Sequence, residues 1–305
     1  MIEIESLSKD YGPIKAVDDV TLSIEEGEVF GLIGPNGAGK TTLIKILVGL
    51  SRQTSGRIFI DGVRDGGRFK DVRRKIGYLP ENVAFYENLT ASETLRFFAR
   101  LKGVPFEKYR GMLETVGLDA GEKKVKKFSK GMRQRLGLAV ALLGDPRILI
   151  FDEPTSGLDP RGVREFQRMI KNLKEEGVTV VLSSHILGEV QEVVDRIGIM
   201  NNGRIIASGS FRELLETVGL RCIITATLSI PDESVVEEML NAGAEEAFLD
   251  GARLKITCAN RDMAKILAGL AGVKLKDLEI KEPSLEDVFL KYIEEKREGG
   301  GSQWP

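Results

Sequence analysis

The residues best equipped for chemistry lie in the run Gly34-Pro35-Asn36-Gly37-Ala38-Gly39-Lys40-Thr41-Thr42. Glycines at this spacing let the backbone curl until successive N–H groups converge on one oxyanion. Lys40 adds a point charge for β and γ phosphate oxygens, and the Thr41 hydroxyl is a ligand for Mg²⁺. The run satisfies G-x-x-x-x-G-K-[ST]. Its context agrees: the apolar stretch Val29–Ile33 reads as a strand entering the loop, and a helix is predicted over Thr41–Leu50, aiming its positive end at the same anion. The chemistry implied is the binding of a nucleoside triphosphate with magnesium.

Two carboxylates could act on such a substrate. Asp152 and Glu153 close the apolar strand Ile148-Leu149-Ile150-Phe151. Ligands of open α/β sheets bind outside the carboxyl ends of the strands, so both side chains are expected beside the phosphate loop. Asp152 would hold Mg²⁺ through its water shell, and Glu153 would take a proton from the attacking water. His185, the only histidine of the chain, follows the apolar strand predicted over Thr179–Ser183 and completes the catalytic candidates.

So far these residues specify a P-loop nucleotide-binding fold without saying which kind. The segments Phe128 to Gln134 and Pro154 to Asp159, together with His185, go further: here the chain resembles the ABC ATPase family. In that family a serine-glycine signature opens a helix shortly before the Walker B carboxylates, and Ser129-Lys130-Gly131-Met132 followed by Arg133-Gln134-Arg135 stands at that place. Its physics is a second anion site, made of the Ser129 hydroxyl, the Gly131 N–H and a helix N-terminus. The resemblance implies two cassettes stacked head to tail with two ATP molecules between them. It also implies that Asp159 belongs to the loop crossing between cassettes, that His185 contacts the γ phosphate, and that Tyr11, ahead of Gly12 and Val17, stacks on adenine. ATP and Mg²⁺ are the expected cofactors.

Two positions depart from the family pattern. Glu81, in Gly77-Tyr78-Leu79-Pro80-Glu81, replaces the usual glutamine of the loop before the helical insertion; its oxygen still suits Mg²⁺, but its charge opposes triphosphate. Lys130 and Met132 replace residues usual in the signature. With Tyr86-Glu87-Asn88-Leu89-Thr90 and Glu282 to Phe289, these choices resemble the export-type branch that includes drug, sodium and other ABC-2 systems. The resemblance is specific through about Ser210 and weaker beyond.

The elements that must position these groups follow from periodicity. Ile2–Glu5, Val20–Ile24, Ile58–Gly62 and the two apolar strands already named predict an α/β core with a parallel sheet. Thr90-Ala91-Ser92-Glu93 is a capping box opening a helix through Leu95–Leu101, inside a helical insertion over about 82–144. The expected ATPase domain is 1–210, followed by a connecting helix over 211–220. An accessory α+β domain is expected over 221–295: Arg221–Ser229, a helix at Glu233–Ala242, Ala244–Leu249, Arg253–Cys258, a helix at Arg261–Leu270 and Val273–Ile280 give a ferredoxin-like order. A final amphipathic helix over Ser284–Glu295 carries Leu285, Val288, Phe289 and Ile293, and 296–305 is expected to be a disordered tail.

Composition narrows the partners. A net charge of −2 provides no basic excess for neutralising nucleic-acid phosphates. Cys222 and Cys258 stand far apart with no metal-ligand spacing, which fits a reducing cytosol. No window approaches the length of an apolar membrane span, so a transport role needs a separate permease, with this chain on the cytoplasmic face of the membrane. A second copy, or a related ATPase subunit, completes the dimer. The competing reading is a soluble ABC ATPase acting on ribosomes or nucleic acid. Such proteins carry two cassettes or a long coiled-coil interruption, whereas Lys40 and Ser129 are separated here by a short insertion. The expectation is an ATPase coupled to transport.

Overall fold

The computed structural model describes residues 1–64, 72–120 and 122–298. The chain divides into two units, the first ending at Phe211 and the second beginning at Arg212.

The first unit is built on strands β1 (Ile2–Tyr11), β2 (Ile14–Ile24), β3 (Val29–Ile33), β4 (Ser55–Ile60), β5 (Val63–Arg64), β6 (Ile76–Leu79), β7 (Ile148–Asp152), β8 (Thr179–Ser184), β9 (Arg196–Asn201) and β10 (Arg204–Gly209). Six of them form one sheet in the order β10-β9-β3-β8-β7-β6. All its pairings are parallel except the β9–β10 hairpin. Every residue of β3, β7 and β8 is buried, which is why these strands read as unbroken apolar runs: both faces are covered. Their register aligns the carboxyl ends, Ile33 beside Ser184 and Asp152 beside Ser183. The loops that leave β3, β7 and β8 therefore emerge along one edge.

A second, antiparallel sheet runs β2-β1-β4-β5. Its inward residues Ile4, Leu7, Val17, Val20 and Ile58 share one core with Phe30 and Leu32 of β3 and with Leu43, Ile44 and Leu47 of the helix Lys40–Leu47. Besides the two-residue β5, three strands were not anticipated from sequence. Ile76–Leu79 carries a glycine and a tyrosine in four residues, and Arg196–Asn201 and Arg204–Gly209 lie in mixed polar surroundings; pairing of β6 with β7, of β9 with β3 and of β10 with β9 supplies what local pattern does not.

The helical insertion contains the helices Ala91–Lys102, Met112–Thr115 and Lys130–Leu142. Thr90 caps the first of these. Its hydroxyl accepts from Glu93 N at 3.2 Å, and its own N–H donates to the Glu93 carboxylate at 2.8 Å, the reciprocal pair read from the sequence.

The second unit contains β11 (Cys222–Leu228), a helix Ser234–Asn241, β12 (Glu246–Asp250), β13 (Arg253–Cys258), a helix Met263–Leu270 and β14 (Leu275–Lys281). The sheet order is β12-β13-β11-β14, antiparallel throughout. This is the ferredoxin-like arrangement. One face buries Ile224, Ala226, Leu254 and Ile256 against Val235, Met239, Ile266 and Leu270 of the two helices. The last helix, Leu285–Glu298, is opened by Ser284 and Asp287, which cap each other's N–H groups at 3.2 and 2.8 Å. Its buried stripe is Leu285, Val288 and Tyr292; Ile293, expected inside, is only half-buried. Because the helix continues through Glu298, the disordered tail expected from 296 does not begin there. Residues 299–305 lie outside the described residues.

Candidate active site

The phosphate loop is held by backbone packing that only glycine permits at two points. A Cβ on Gly34 would lie 2.2 Å from Met200 O of β9. Gly39 has φ +107°, and a Cβ there would lie 2.2 Å from Ala16 O of β2. The loop is thus clamped between two strands, and its curl is fixed. No side chain caps the helix that follows, leaving the N–H groups of its first turn directed at the cleft.

Lys40 opens that helix and is buried. Its Nζ donates to Gly34 O at 2.7 Å and to Pro35 O at 3.2 Å, and lies 3.6 Å from Glu153 Oε1. One residue on, Thr41 Oγ1 donates to Asp152 Oδ1 at 3.2 Å. The same carboxylate oxygen accepts from Ser183 Oγ at 2.7 Å, and Ser183 Oγ in turn accepts from Glu153 N at 3.0 Å. Ser183 is thus a pin between the two acidic residues. Sequence reading placed it in a strand without a role, although the string Ser183-Ser184-His185 carried the signal.

Glu153 has φ +50°, in the left-handed region. For a residue with a Cβ this conformation is strained, typically by about 1–3 kcal/mol. It turns the chain out of β7 so that the carboxylate, nine-tenths buried, meets the groups leaving β8. Glu153 Oε2 lies 2.7 Å from His185 Nδ1, and His185 N donates to the same oxygen at 3.4 Å. His185 is itself half-exposed. Burial first, and the charge of Asp152 second, pushes the Tyr78 phenol up to about 12.

These groups surround a cleft of about 640 Å³ lined by Asn36 to Thr42, Glu81, Glu153 and His185, with Ile14 to Ala16 and Asn202–Gly203 closing it from β2 and the β9–β10 turn. The contribution of those last five residues was not legible from motif spacing. The volume suits a ligand of nucleotide size.

Not every expected residue is brought here. Val17 is a correction: it is fully buried in the core shared with β1 and β3, because alternation along β2 turns it inward, and it does not line the cleft. Tyr11 does not line it either. Its half-exposed ring lies under Lys9 Nζ at 4.8 Å, and its hydroxyl is 3.4 Å from Ser51 Oγ. Ser129, Gly131 and Asp159 stand apart from the cleft, on the elements that open the helices Lys130–Leu142 and Pro160–Glu175. Ser129 Oγ accepts from Met132 N at 3.2 Å and Asp159 Oδ1 accepts from Gly162 N at 2.7 Å, each as an N-cap.

The donor set fits a hard cation. A threonine hydroxyl and a buried carboxylate oxygen meet at 3.2 Å. Among the described residues no cluster of three or more His, Cys, Asp or Glu side chains is arranged as a metal cage. A magnesium ion here would take its remaining ligands from phosphate and water, as is its habit.

The geometry is that of an ATPase cleft, and comparison with known proteins agrees. The family model described as ABC transporter matches residues 17–156. The bacitracin transport ATP-binding protein of Bacillus licheniformis is 39% identical over 308 residues, covering 99% of this chain and 98% of that protein. This chain belongs to the ABC transporter family. Among solved structures, an ATP-binding subunit of an ABC transporter shares the fold of this ABC subunit with TM-score 0.67 and 34% identity, over 72% of this chain and 94% of that one. A dimeric ATP-binding cassette in a post-hydrolysis state bound to ADP and Pi matches with TM-score 0.64 and 28% identity, over 69% and 98% respectively. This ABC subunit is an ATP-binding ATPase.

Proposed function

We propose that the chain is the motor subunit of an exporter: it binds ATP with Mg²⁺, pairs head to tail with a second cassette, and drives a separate membrane permease from the cytoplasmic face. The observation that carries this reading is the Glu153 carboxylate, placed between Lys40 Nζ at 3.6 Å and His185 Nδ1 at 2.7 Å beside the Thr41–Asp152 pair.

In this reading Lys40 and the loop N–H groups of Gly37 to Thr42 bind the β and γ phosphates and stabilise charge as it moves toward the leaving oxygen. Thr41 and Asp152 would hold Mg²⁺, with Glu81 on the cleft wall as a third oxygen donor. The metal, when bound, neutralises phosphate charge. Glu153 accepts the proton of the attacking water, and His185 fixes the carboxylate's orientation while its exposed edge reaches toward the γ phosphate. Tyr11 offers a half-exposed ring to the base.

Ser129, Gly131 and Asp159 stand outside the cleft of their own chain, which supports their service to a second cassette's nucleotide. No described helix is long and apolar enough to cross a membrane, and in this reading a separate permease supplies the pore. The bacitracin transport relative supports a role in transport, and the export-type choices at Glu81, Lys130 and Met132 support export as its direction. The test is to purify the tagged chain from gentle detergent extracts of native membranes and identify what accompanies it. An integral membrane protein, with ATPase activity lost in Glu153→Gln, supports the reading; recovery with ribosomes or nucleic acid instead overturns it.

A further inference from the structure

Lys130 stands where the signature usually carries glycine, and the fold gives its side chain a definite partner. Its Nζ donates to Ser156 Oγ at 2.7 Å. Its aliphatic stem lies against Gly157, which has φ +83° and where a Cβ would come within 2.6 Å of Lys130 Cδ. A cation in the first turn opposes the positive end of the helix dipole, and no acidic residue in that turn offsets it. Helix stability therefore does not explain the lysine; its bond across to Ser156 does.

Ser156 is in turn tied to the catalytic carboxylate's own residue. Its N–H donates to Glu153 O at 3.1 Å, closing the turn that follows β7. The helix Lys130–Leu142 grips the same turn once more and the helix after it once. The buried Gln134 donates through Nε2 to Pro154 O at 3.0 Å, and Arg135 Nη1 donates to Glu165 Oε2 at 2.8 Å. Two side chains of one helix thus anchor the turn that begins immediately after Glu153, and a third holds the helix Pro160–Glu175 that follows it.

We infer that Lys130 is a positioning residue: through Ser156 it couples the Ser129 end of the signature helix to Glu153. The inference rests on the reading above, in which Ser129 receives the nucleotide of a second cassette. Seating of that nucleotide displaces Ser129, the Lys130–Ser156 bond carries the displacement into the turn, and Glu153 of the other cleft is brought into line. The two clefts of the dimer then hydrolyse in concert rather than independently.

The test is steady-state ATPase of the full chain carrying Lys130→Met, Ser156→Ala, both together, or Lys130→Arg, with ATP-driven dimerisation followed in a Glu153→Gln background. Lys130→Met keeps the stem on Gly157 and removes the ammonium; Ser156→Ala removes the acceptor and leaves the charge. Each single variant is expected to lower kcat by about three- to tenfold and to bring the Hill coefficient for ATP toward one, with KM changed by less than about twofold. The double variant is expected to be no worse than either single one, the mark of two residues acting through one bond. Lys130→Arg should restore most of the loss. If Lys130→Met raises KM while Ser156→Ala is silent, the lysine serves nucleotide directly and the coupling is overturned; additive single effects overturn it as well. A wild-type chain that hydrolyses no ATP, or a Glu153→Gln chain that does not dimerise on ATP, overturns the functional reading itself. Silent variants in an active wild type overturn only the coupling.

Discussion

Glu153 Oε2 and His185 Nδ1 are 2.7 Å apart although 32 residues separate them in the chain. The contact exists because β7 and β8 are adjacent parallel strands in register, so their following residues emerge side by side. A carboxylate so held has one oxygen toward histidine and the other 3.6 Å from Lys40 Nζ.

Glu153→Gln keeps the shape of that side chain and removes its basicity. Phosphate release is expected to fall by about 10²–10⁴-fold, the usual worth of a positioned general base, while ATP binding persists. Single-turnover phosphate release measured alongside equilibrium nucleotide binding checks both halves. His185→Ala leaves the carboxylate in place but unoriented, and a smaller loss of about 10- to 100-fold is expected in the same assay.

The Ser183 hydroxyl makes two buried hydrogen bonds, to Asp152 at 2.7 Å and from Glu153 N at 3.0 Å. Ser183→Ala leaves the buried Glu153 N–H without its acceptor and Asp152 Oδ1 with the Thr41 hydroxyl alone. A loss of about 1–3 kcal/mol in unfolding free energy is expected from urea titration, together with a lower kcat because both acidic side chains lose their shared pin. Unchanged stability would remove the pin from the account of the site.

How much of this was legible in the sequence follows from how local each signal is. Gly34 to Thr42 was legible because it is contiguous, although the backbone of Ala16 and Met200 that clamps it comes from elsewhere in the chain. Asp152, Glu153 and His185 were legible because each sits at the end of an apolar strand, and strand ends of a parallel sheet share an edge. Ser183 was missed because its role depends on side chains brought from β7, and Asn202 and Gly203 because a hairpin turn reaches the cleft only through β9 pairing with β3. Val17 was named with Tyr11 from the family resemblance, while alternation along β2 turns its side chain into the core. In the second unit the order of strands and helices was readable, since β11, β12 and β13 alternate against one helical layer. The path from that unit to any function was not, for no motif there carries chemistry.

Gly39→Ala tests the clamp on the phosphate loop. The new methyl would meet Ala16 O, and φ +107° is barely open to alanine. Destabilisation of about 1–3 kcal/mol is expected, with nucleotide binding lost even below the melting transition because the N–H groups no longer converge. Calorimetric melting and binding of a fluorescent ATP analogue separate the two effects.

Burial, and after it the Asp152 charge, pushes the Tyr78 phenol above the ordinary tyrosine range, up to about 12. Its proton is held more tightly in the folded chain than in the unfolded one, so the stability linked to it is complete below pH 10 and is lost as pH rises through 10 to about 12. Urea unfolding of wild type and Tyr78→Phe across that window should show a steeper alkaline decline in wild type; parallel curves would mean that the phenol ionises freely.

Glu81 gives the last prediction, because its charge acts on two equilibria in the same direction. A carboxylate on the wall of the cleft repels triphosphate when no metal is present and attracts the metal when it is. Both effects widen the gap between ATP affinity with Mg²⁺ and ATP affinity in a chelator. Glu81→Gln removes the charge and keeps an oxygen in nearly the same place, so the gap should narrow, by about three- to tenfold if the carboxylate acts across several ångströms of partly screened cleft. Most of the narrowing should come from tighter binding of metal-free ATP, since the glutamine oxygen can still face the ion. Equilibrium titration of ATP into both proteins, with saturating Mg²⁺ and with chelator, measures all four affinities. An unchanged ratio would place Glu81 beyond electrostatic reach of the phosphates and leave the exchange of glutamine for glutamate without a role in nucleotide binding.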